Sequence, residues 1–148
     1  MMLIGIDIIE NRRFERAVKR HPRLVERVFT PAETAYCRSR PNPAQHFAAR
    51  FAAKEAVGKA LGTGVLSWRE IEIGSGGKPD VRVSGSMKAA ADTLGASPLS
   101  LSISHCGVVS VAVAAAPLTE SRDSFRQQRP GITRLIHKSR TGDRRVHD

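Results

Sequence analysis

The segment FAARFAAKEAVGKALGTG, residues 47–64, constrains the fold more than any other part of the sequence. It is rich in alanine, and Gly62 stands where a helix ends, because glycine adopts the left-handed conformation without a Cβ penalty. The segment is therefore predicted to be a helix. One stripe of this helix contains every fourth residue: Phe47, Phe51, Glu55 and Lys59. Since the two aromatic side chains point into a core, the two charged groups are expected at its edge.

A carboxylate at the edge of a core must find a cation, a hydrogen-bond donor or a proton. The simplest interpretation of Glu55 and Lys59 is a pair on the helix surface that contributes about 0.3–0.5 kcal/mol. A functional interpretation requires other polar residues that converge on the same edge.

Asp7 is the first such residue. It interrupts an apolar, β-branched run, residues 3–9, that is predicted to be a buried strand. Asp7 shares one face of this strand with Leu3, Gly5 and Ile9, and isoleucines occupy the other face: Ile4, Ile6 and Ile8. An aspartate inside a buried strand is costly unless it is paired or bound to a metal. The alternatives are an exposed strand end or a partner arginine.

Three helical pieces are predicted between this strand and the alanine-rich helix. Asn11 is expected to cap the first, which continues to Arg20, and Pro22 suits the first turn of the second. The sequence Thr30-Pro31-Ala32-Glu33 has the pattern of a capping box and starts the third, which runs to about Arg38.

The second half of the chain is predicted to be mostly strands. Short strands flank the turn GSGGKP, which carries Lys78 and lacks the spacing of a phosphate-binding P-loop. A helix capped by Ser86 follows, and then a hairpin whose first strand ends at Ser104 and His105. A histidine at such a hairpin tip is most simply interpreted as structural.

Length and charge restrict the functional classes. The 148 residues suit one domain, assigned to residues 1–118, with residues 119–148 as a basic and flexible tail. The net charge of +10, from 24 basic and 14 acidic residues, favours a polyanionic partner such as nucleic acid, a phosphorylated small molecule or an acidic protein.

The cysteines and the apolar runs indicate the compartment. Cys37 and Cys106 match neither a disulfide framework nor the spacing of zinc ligands. No secretory signal is visible, and the longest apolar run is too short to span a bilayer. A cytoplasmic protein with no membrane partner is therefore expected.

Two carboxylates and a cation suit a site for magnesium and phosphate. Magnesium takes oxygen ligands and commonly uses one or two carboxylates together with substrate phosphates. Asp7 and Glu55 are the candidate ligands, and Lys59 is the candidate cation for phosphate oxygens. All three are candidate catalytic residues.

The sequence also resembles a known family. The motifs GIDIIE, RFAAKEAVGKALGTG, GKP and SISH occur in the order and spacing of the stand-alone holo-acyl-carrier-protein synthases, which are 4′-phosphopantetheinyl transferases. The resemblance extends from residue 3 to about residue 115. It implies an α+β fold of the 4′-phosphopantetheinyl transferase type, with a small, mostly antiparallel sheet packed with helices, one of them long and rich in alanine.

The resemblance further implies an activity and a site. Such enzymes transfer the phosphopantetheine arm of coenzyme A to a serine of an acidic acyl carrier protein, release adenosine 3′,5′-bisphosphate, and are homotrimers with active sites between subunits. By resemblance Asp7 and Glu55 bind Mg²⁺, and Lys59 lies near the pyrophosphate. The implied coenzyme A pocket adds further residues: Gly62, Thr63, Gly64, Lys78, Ser104 and His105. Glu55 or a water at the metal would serve as base.

Two other functional classes remain as alternatives. A basic nucleic-acid-binding module fits the charge, although aromatic residues make up only 5% and no recognised motif appears. A cysteine–histidine hydrolase could use Cys106, but adjacent residues of a strand, such as His105 and Cys106, point to opposite faces.

Overall fold

The computed structural model describes residues 1–77 and 79–119. Lys78 and nearly all of the segment predicted to be a flexible basic tail, residues 120–148, lie outside the described residues. Elements follow in chain order: β1 (Met2–Glu10), α1 (Asn11–Arg20), α2 (Leu24–Val28), α3 (Pro31–Arg38), α4 (Pro43–Leu61), β2 (Ile71–Ile73), β3 (Val81–Val83), α5 (Gly85–Leu94), β4 (Ser100–His105) and β5 (Val109–Pro117). A single 3₁₀ turn, Trp68–Glu70, follows α4.

The helix predicted from the alanine-rich segment is α4, which begins at Pro43 and ends at Leu61. Gly62 caps it in the left-handed conformation with φ of 71°, as the sequence predicts. Its alanines form the centre of the main core and leave room for the sheet to approach closely. The closest approach is at Gly5 of β1, where an added Cβ would lie 2.0 Å from the carbonyl oxygen of Ala56. Only glycine allows β1 and α4 to pack at this distance.

A three-stranded antiparallel sheet in the order β1-β5-β4 packs on α4, and β2 and β3 form a separate antiparallel pair. The predicted α+β class with a small antiparallel sheet is confirmed. Gly5 and Asp7 lie on the face of β1 that meets α4. The opposite face is exposed, contrary to the prediction of a buried strand, with exposed fractions of 66%, 58% and 64% at its isoleucines: Ile4, Ile6 and Ile8.

A fully buried ion pair joins α3 to α4. Lys54 Nζ lies 2.7 Å from Glu33 Oε2, and neither side chain is exposed. Lys54 also donates hydrogen bonds to the carbonyl oxygens of Val28 and Trp68, at 2.8 and 2.9 Å. Glu33 completes the predicted capping box with Thr30, and its Oε1 accepts from the backbone N–H of Ile73. Burial lowers the pKa of Lys54, and the carboxylate opposes that shift.

Two predicted helix caps act differently in the structure. Asn11 is the first residue of α1, and its side chain donates to the Cys106 carbonyl at 2.8 Å and accepts from Ser110 Oγ at 2.7 Å. Helix α5 begins one residue before Ser86, whose hydroxyl donates to Glu70 Oε2 at 2.5 Å. Each of these two side chains therefore forms hydrogen bonds between the start of a helix and a segment that is distant in the sequence. A signal for such long-range contacts is absent from the local sequence.

The second helix begins at Leu24, two residues after Pro22, so that proline precedes the helix instead of lying in its first turn. No helix in the described part of the chain combines the length and the apolar character that crossing a membrane requires.

Candidate active site

Strand β1 and helix α4 bring Asp7 and Lys59 into contact. Lys59 Nζ lies 2.8 Å from Asp7 Oδ1 and donates a second hydrogen bond, of 3.1 Å, to the carbonyl oxygen of Ile6. The close approach at Gly5 sets this geometry, because Asp7 is the next residue of β1 on the same face. The hydrogen bond to Asp7 raises the pKa of Lys59, so the side chain remains an ammonium group at neutral pH.

Glu55 lies one helical turn before Lys59 and borders the same region. Asp7 and Glu55 both line a pocket of about 440 Å³, whose wall also includes the apolar side chains of Phe14 and Phe51. Burial, and then the negative charge of Asp7, raise the pKa of Glu55, while the Lys59 ammonium opposes this shift. Two carboxylates thus repel each other across a partly desolvated pocket.

These two carboxylates fit a divalent cation. Within residues 1–77 and 79–119, Glu55 forms no ion pair and Asp7 has only Lys59 as a cationic partner. The same residues contain no group of three or more histidine, cysteine, aspartate or glutamate side chains that could hold a metal. Two protein carboxylates leave most coordination positions to water and substrate oxygens, which is the arrangement that Mg²⁺ prefers.

The turn after α4 folds back onto the helix at Gly58. The backbone N–H of Gly64 donates to the Gly58 carbonyl at 3.1 Å, and a Cβ at Gly58 would lie 2.6 Å from the carbonyl carbon of Gly64. The mid-helix glycine is therefore required for packing of backbone against backbone. Gly62, Thr63 and Gly64 are exposed just beyond Lys59, so the structure brings this part of the predicted coenzyme pocket close to the pair of carboxylates.

Ser104 and His105 lie near the other end of α4. The His105 ring forms a hydrogen bond with Gln45, three residues into the helix, and packs edge-on against His46 at 5.5 Å between ring centroids. From Gln45 to Gly62 the helix rises by about 25 Å, at 1.5 Å per residue. One chain therefore does not bring His105 and the turn at Gly62 into one pocket.

The geometry does not support a cysteine–histidine hydrolase. Cys106 is exposed, and the ring of His105 is engaged by Gln45 on α4. The sequence analysis missed Gln45 because a single polar residue near a helix start carries no periodic signal.

A second surface feature is a basic groove of about 1,000 Å³ between α2 and the 3₁₀ turn. Four arginines line it, together with the indole of Trp68: Arg20, Arg23, Arg27 and Arg69. The sequence analysis did not single out Trp68 and Arg69, which reach the groove because the 3₁₀ turn packs against α2.

Comparison with known proteins identifies the family. The sequence model of the 4′-phosphopantetheinyl transferase superfamily matches residues 3–107. The chain is 52% identical over 118 residues to the holo-(acyl-carrier-protein) synthase of Moorella thermoacetica, covering 77% of this chain and 92% of that protein.

Solved structures show the same similarity. The holo-(acyl-carrier-protein) synthase of Neisseria meningitidis superposes with a TM-score of 0.72 at 33% identity, covering 79% of this chain and 99% of that one. The Helicobacter pylori synthase, solved with coenzyme A, gives a TM-score of 0.67 at 34% identity, covering 77% and 99%. With α4, the antiparallel sheet and the Asp7–Glu55 pocket in place, this chain belongs to the holo-acyl-carrier-protein synthases of the 4′-phosphopantetheinyl transferase superfamily.

Proposed function

We propose that this chain transfers the 4′-phosphopantetheine group of coenzyme A to a serine hydroxyl of an apo-acyl carrier protein. The serine oxygen attacks the phosphorus that bears the pantetheine arm, the bond to the bridging diphosphate oxygen breaks, and adenosine 3′,5′-bisphosphate leaves. The serine proton is released. One observation carries the proposal: in a chain of this family, Asp7 and Glu55 line one pocket and Lys59 contacts Asp7.

We propose specific roles for these three side chains. Asp7 and Glu55 would hold a Mg²⁺, which when bound supplies positive charge against the diphosphate. Lys59 stabilises the departing phosphate as a fixed ammonium group, because its raised pKa disfavours the loss of a proton. The apolar wall at Phe14 and Phe51 limits water at the reacting phosphorus.

We also propose that the active enzyme is a homotrimer with sites shared between subunits. The turn at Gly62–Gly64 and the residues Ser104 and His105 are expected in one coenzyme pocket, yet they lie near opposite ends of α4. A neighbouring subunit can supply the missing half. The exposed isoleucine face of β1, continued by Val111 and Val113 of β5, is an apolar surface suited to this contact.

The basic groove is the proposed contact for the carrier protein. Acyl carrier proteins are acidic, and the arginines beside Trp68 supply complementary charge together with an aromatic anchor. Arg13 of α1 lines the wall of the Asp7–Glu55 pocket, and α1 ends at Arg20 in the basic groove, so one helix connects the two. A carrier protein bound in the groove would have its serine near the reacting phosphorus.

The proposed location is the cytoplasm, where coenzyme A and carrier protein meet. Both cysteines are unpaired, Cys37 buried and Cys106 exposed, which suits a reducing compartment.

The test is mass spectrometry of an apo-carrier protein incubated with the full chain, coenzyme A and Mg²⁺. A gain equal to the phosphopantetheine group is expected with the wild type and with Cys106→Ala. It should fall at least 100-fold in initial rate with Glu55→Gln, which keeps the shape but removes the charge. Full magnesium-dependent transfer by Glu55→Gln would contradict the assignment of this site.

A further inference from the structure

The ammonium group of Lys54 joins three segments of the fold through hydrogen bonds. It donates to Glu33 Oε2 of α3 at 2.7 Å, to the carbonyl oxygen of Val28 at 2.8 Å and to the carbonyl oxygen of Trp68 at 2.9 Å. An ammonium group has three donors, so this arrangement uses all of them. Val28 is the last residue of α2, where helix carbonyls need a partner from outside the helix, and Trp68 opens the 3₁₀ turn.

Two of these three bonds end on the two walls of the basic groove. Val28 and Trp68 both line the groove, and each stands next to an arginine that also lines it: Arg27 precedes Val28 on α2, and Arg69 follows Trp68 in the turn. Because both carbonyl oxygens accept from one nitrogen atom, the separation of the two walls is fixed at this point.

The charges of the groove favour the opposite outcome. Arg23 and Arg27 lie on α2 and Arg69 lies on the turn, so both walls carry positive charge and repel each other. Within residues 1–77 and 79–119 no salt bridge involves these three arginines. Stability alone does not require a buried ion pair, because packed apolar side chains of similar volume often serve as well. The place at which the buried pair holds the two walls gives it a more specific role.

The wall at Trp68 also borders the Asp7–Glu55 pocket. The indole stacks on the ring of Phe51, with ring centroids 4.8 Å apart and planes inclined by 20°, and Phe51 lines that pocket. Leu24 lines both cavities. The position of Trp68 therefore affects both the groove and the side of the pocket from which a bound protein would approach.

We propose that Lys54 is a positioning residue for the carrier protein, which sets the spacing of the groove walls by bonding to the carbonyl oxygens of Val28 and Trp68. Glu33 holds the ammonium group in place. The carrier protein as occupant of the groove rests on the proposed function. Lys54 is fully buried and touches neither substrate, so it acts only through the arginines and the indole that line the groove. Its loss should weaken the binding of the carrier protein and have little effect on coenzyme A.

Steady-state kinetics of the full chain test this selectivity. Lys54→Met should raise KM for the carrier protein about tenfold, while kcat and KM for coenzyme A stay within about threefold of the wild type. The control for lost stability is Leu101→Ala, which opens a cavity in the main core and lines neither the groove nor the pocket. It should leave KM for the carrier protein unchanged. Circular dichroism at the assay temperature verifies that each variant is folded.

A double variant separates positioning from stability. Glu33→Gln combined with Lys54→Met removes both buried charges, so no unpaired charge remains in the core and part of the lost stability should return. Methionine cannot donate to either carbonyl oxygen, so KM for the carrier protein should stay about tenfold raised. A double variant that regains both stability and the wild-type KM would show that Lys54 has only a structural role, and would overturn the proposal.

Fluorescence measures binding without transfer. Trp68 is the only tryptophan of the sequence, so its emission reports on the groove. The probe is an apo-acyl carrier protein that contains no tryptophan, added without coenzyme A. Its dissociation constant should be about tenfold higher with both Lys54 variants than with the wild type or Leu101→Ala.

The results that contradict the proposal differ from those that contradict the proposed function. An unchanged KM and dissociation constant with Lys54→Met would overturn the proposal, as would a wild type that transfers although the carrier protein leaves the emission of Trp68 unaltered. Absence of transfer by the wild type would instead overturn the proposed function. The fluorescence titration would then still decide whether Lys54 positions a groove that binds the carrier protein.

Discussion

Lys54 Nζ lies 2.7 Å from Glu33 Oε2, and both side chains are entirely buried. Lys54 immediately precedes Glu55 on α4. Removing one partner leaves an uncompensated buried charge, so Lys54→Met should lower the free energy of unfolding by about 3–5 kcal/mol. Urea denaturation measures this. The control is Lys88→Met, because the exposed pair of Lys88 with Asp92, at 2.6 Å, should contribute less than about 1 kcal/mol. Equal losses from the two variants would contradict the interpretation.

Glu55→Gln should stabilise the chain while lowering the initial rate of transfer at least 100-fold. Burial and Asp7 raise the folded-state pKa of Glu55 above its ordinary value of 4.5. The contribution of Glu55 to the free energy of unfolding is therefore fully present below pH 4.5, and it is lost as the pH rises through the folded-state pKa. Glutamine stays neutral and avoids the loss. Thermal denaturation with a chelator present should give a higher Tm for the variant at pH 7 and a smaller difference at pH 4; a lower Tm at pH 7 would refute this.

Gly5→Ala should separate β1 from α4. Its Cβ would lie 2.0 Å from the Ala56 carbonyl oxygen, so the strand must move, at a cost of about 1–3 kcal/mol. Because Asp7 follows on the same face, transfer should also fall. Gly107→Ala is the control, since a Cβ added there would meet no atom of the described residues within 4 Å. The unfolding curve and the initial transfer rate of Gly107→Ala should both be close to those of the wild type.

Ile6→Glu should break the proposed trimer. The side chain is 58% exposed in the single chain, so the substitution leaves the core intact, but it places a charge on the apolar face of β1. Light scattering coupled to gel filtration should report a trimer for the wild type and a monomer for the variant, with transfer lost. A monomeric wild type that is fully active would contradict the shared site.

Replacing Arg23 and Arg27 by glutamate should weaken the binding of the carrier protein and leave the binding of coenzyme A nearly unchanged. KM for the carrier protein should rise more than tenfold, and KM for coenzyme A should change little. The wild-type association rate should fall steeply between about 50 and 500 mM salt, because these contacts lie at an exposed groove. A rate independent of salt would count against the groove.

Local features of the sequence predicted most of the helices and strands. The α4 helix follows from its alanines and from Gly62, and the capping box at Thr30 follows from a four-residue pattern. Helix α1 ends at Arg20, as predicted, although the starts of α1 and α5 depend on contacts that Asn11 and Glu70 make across the fold.

The arrangement of the site was only partly predictable. The stripe on α4 and the alternation in β1 pointed to Glu55, Lys59 and Asp7 as candidates; in the structure Asp7 contacts Lys59 and lines one pocket with Glu55. The distance between His105 and Gly62 depends on where the β4–β5 hairpin packs along α4, which no local pattern encodes. The Lys54–Glu33 pair was missed because a lysine among alanines on a helix looks like a surface residue.

The bare isoleucine face of β1 has a consequence for handling the protein. Among the described residues β1 is an edge strand of its sheet. An uncovered edge strand can pair with strands of other chains. Dissociation of the proposed trimer would uncover this strand and therefore favour non-native association as well as inactivity. Variants such as Ile6→Glu, by adding charge there, would remain in solution while inactive, which separates lost assembly from lost solubility.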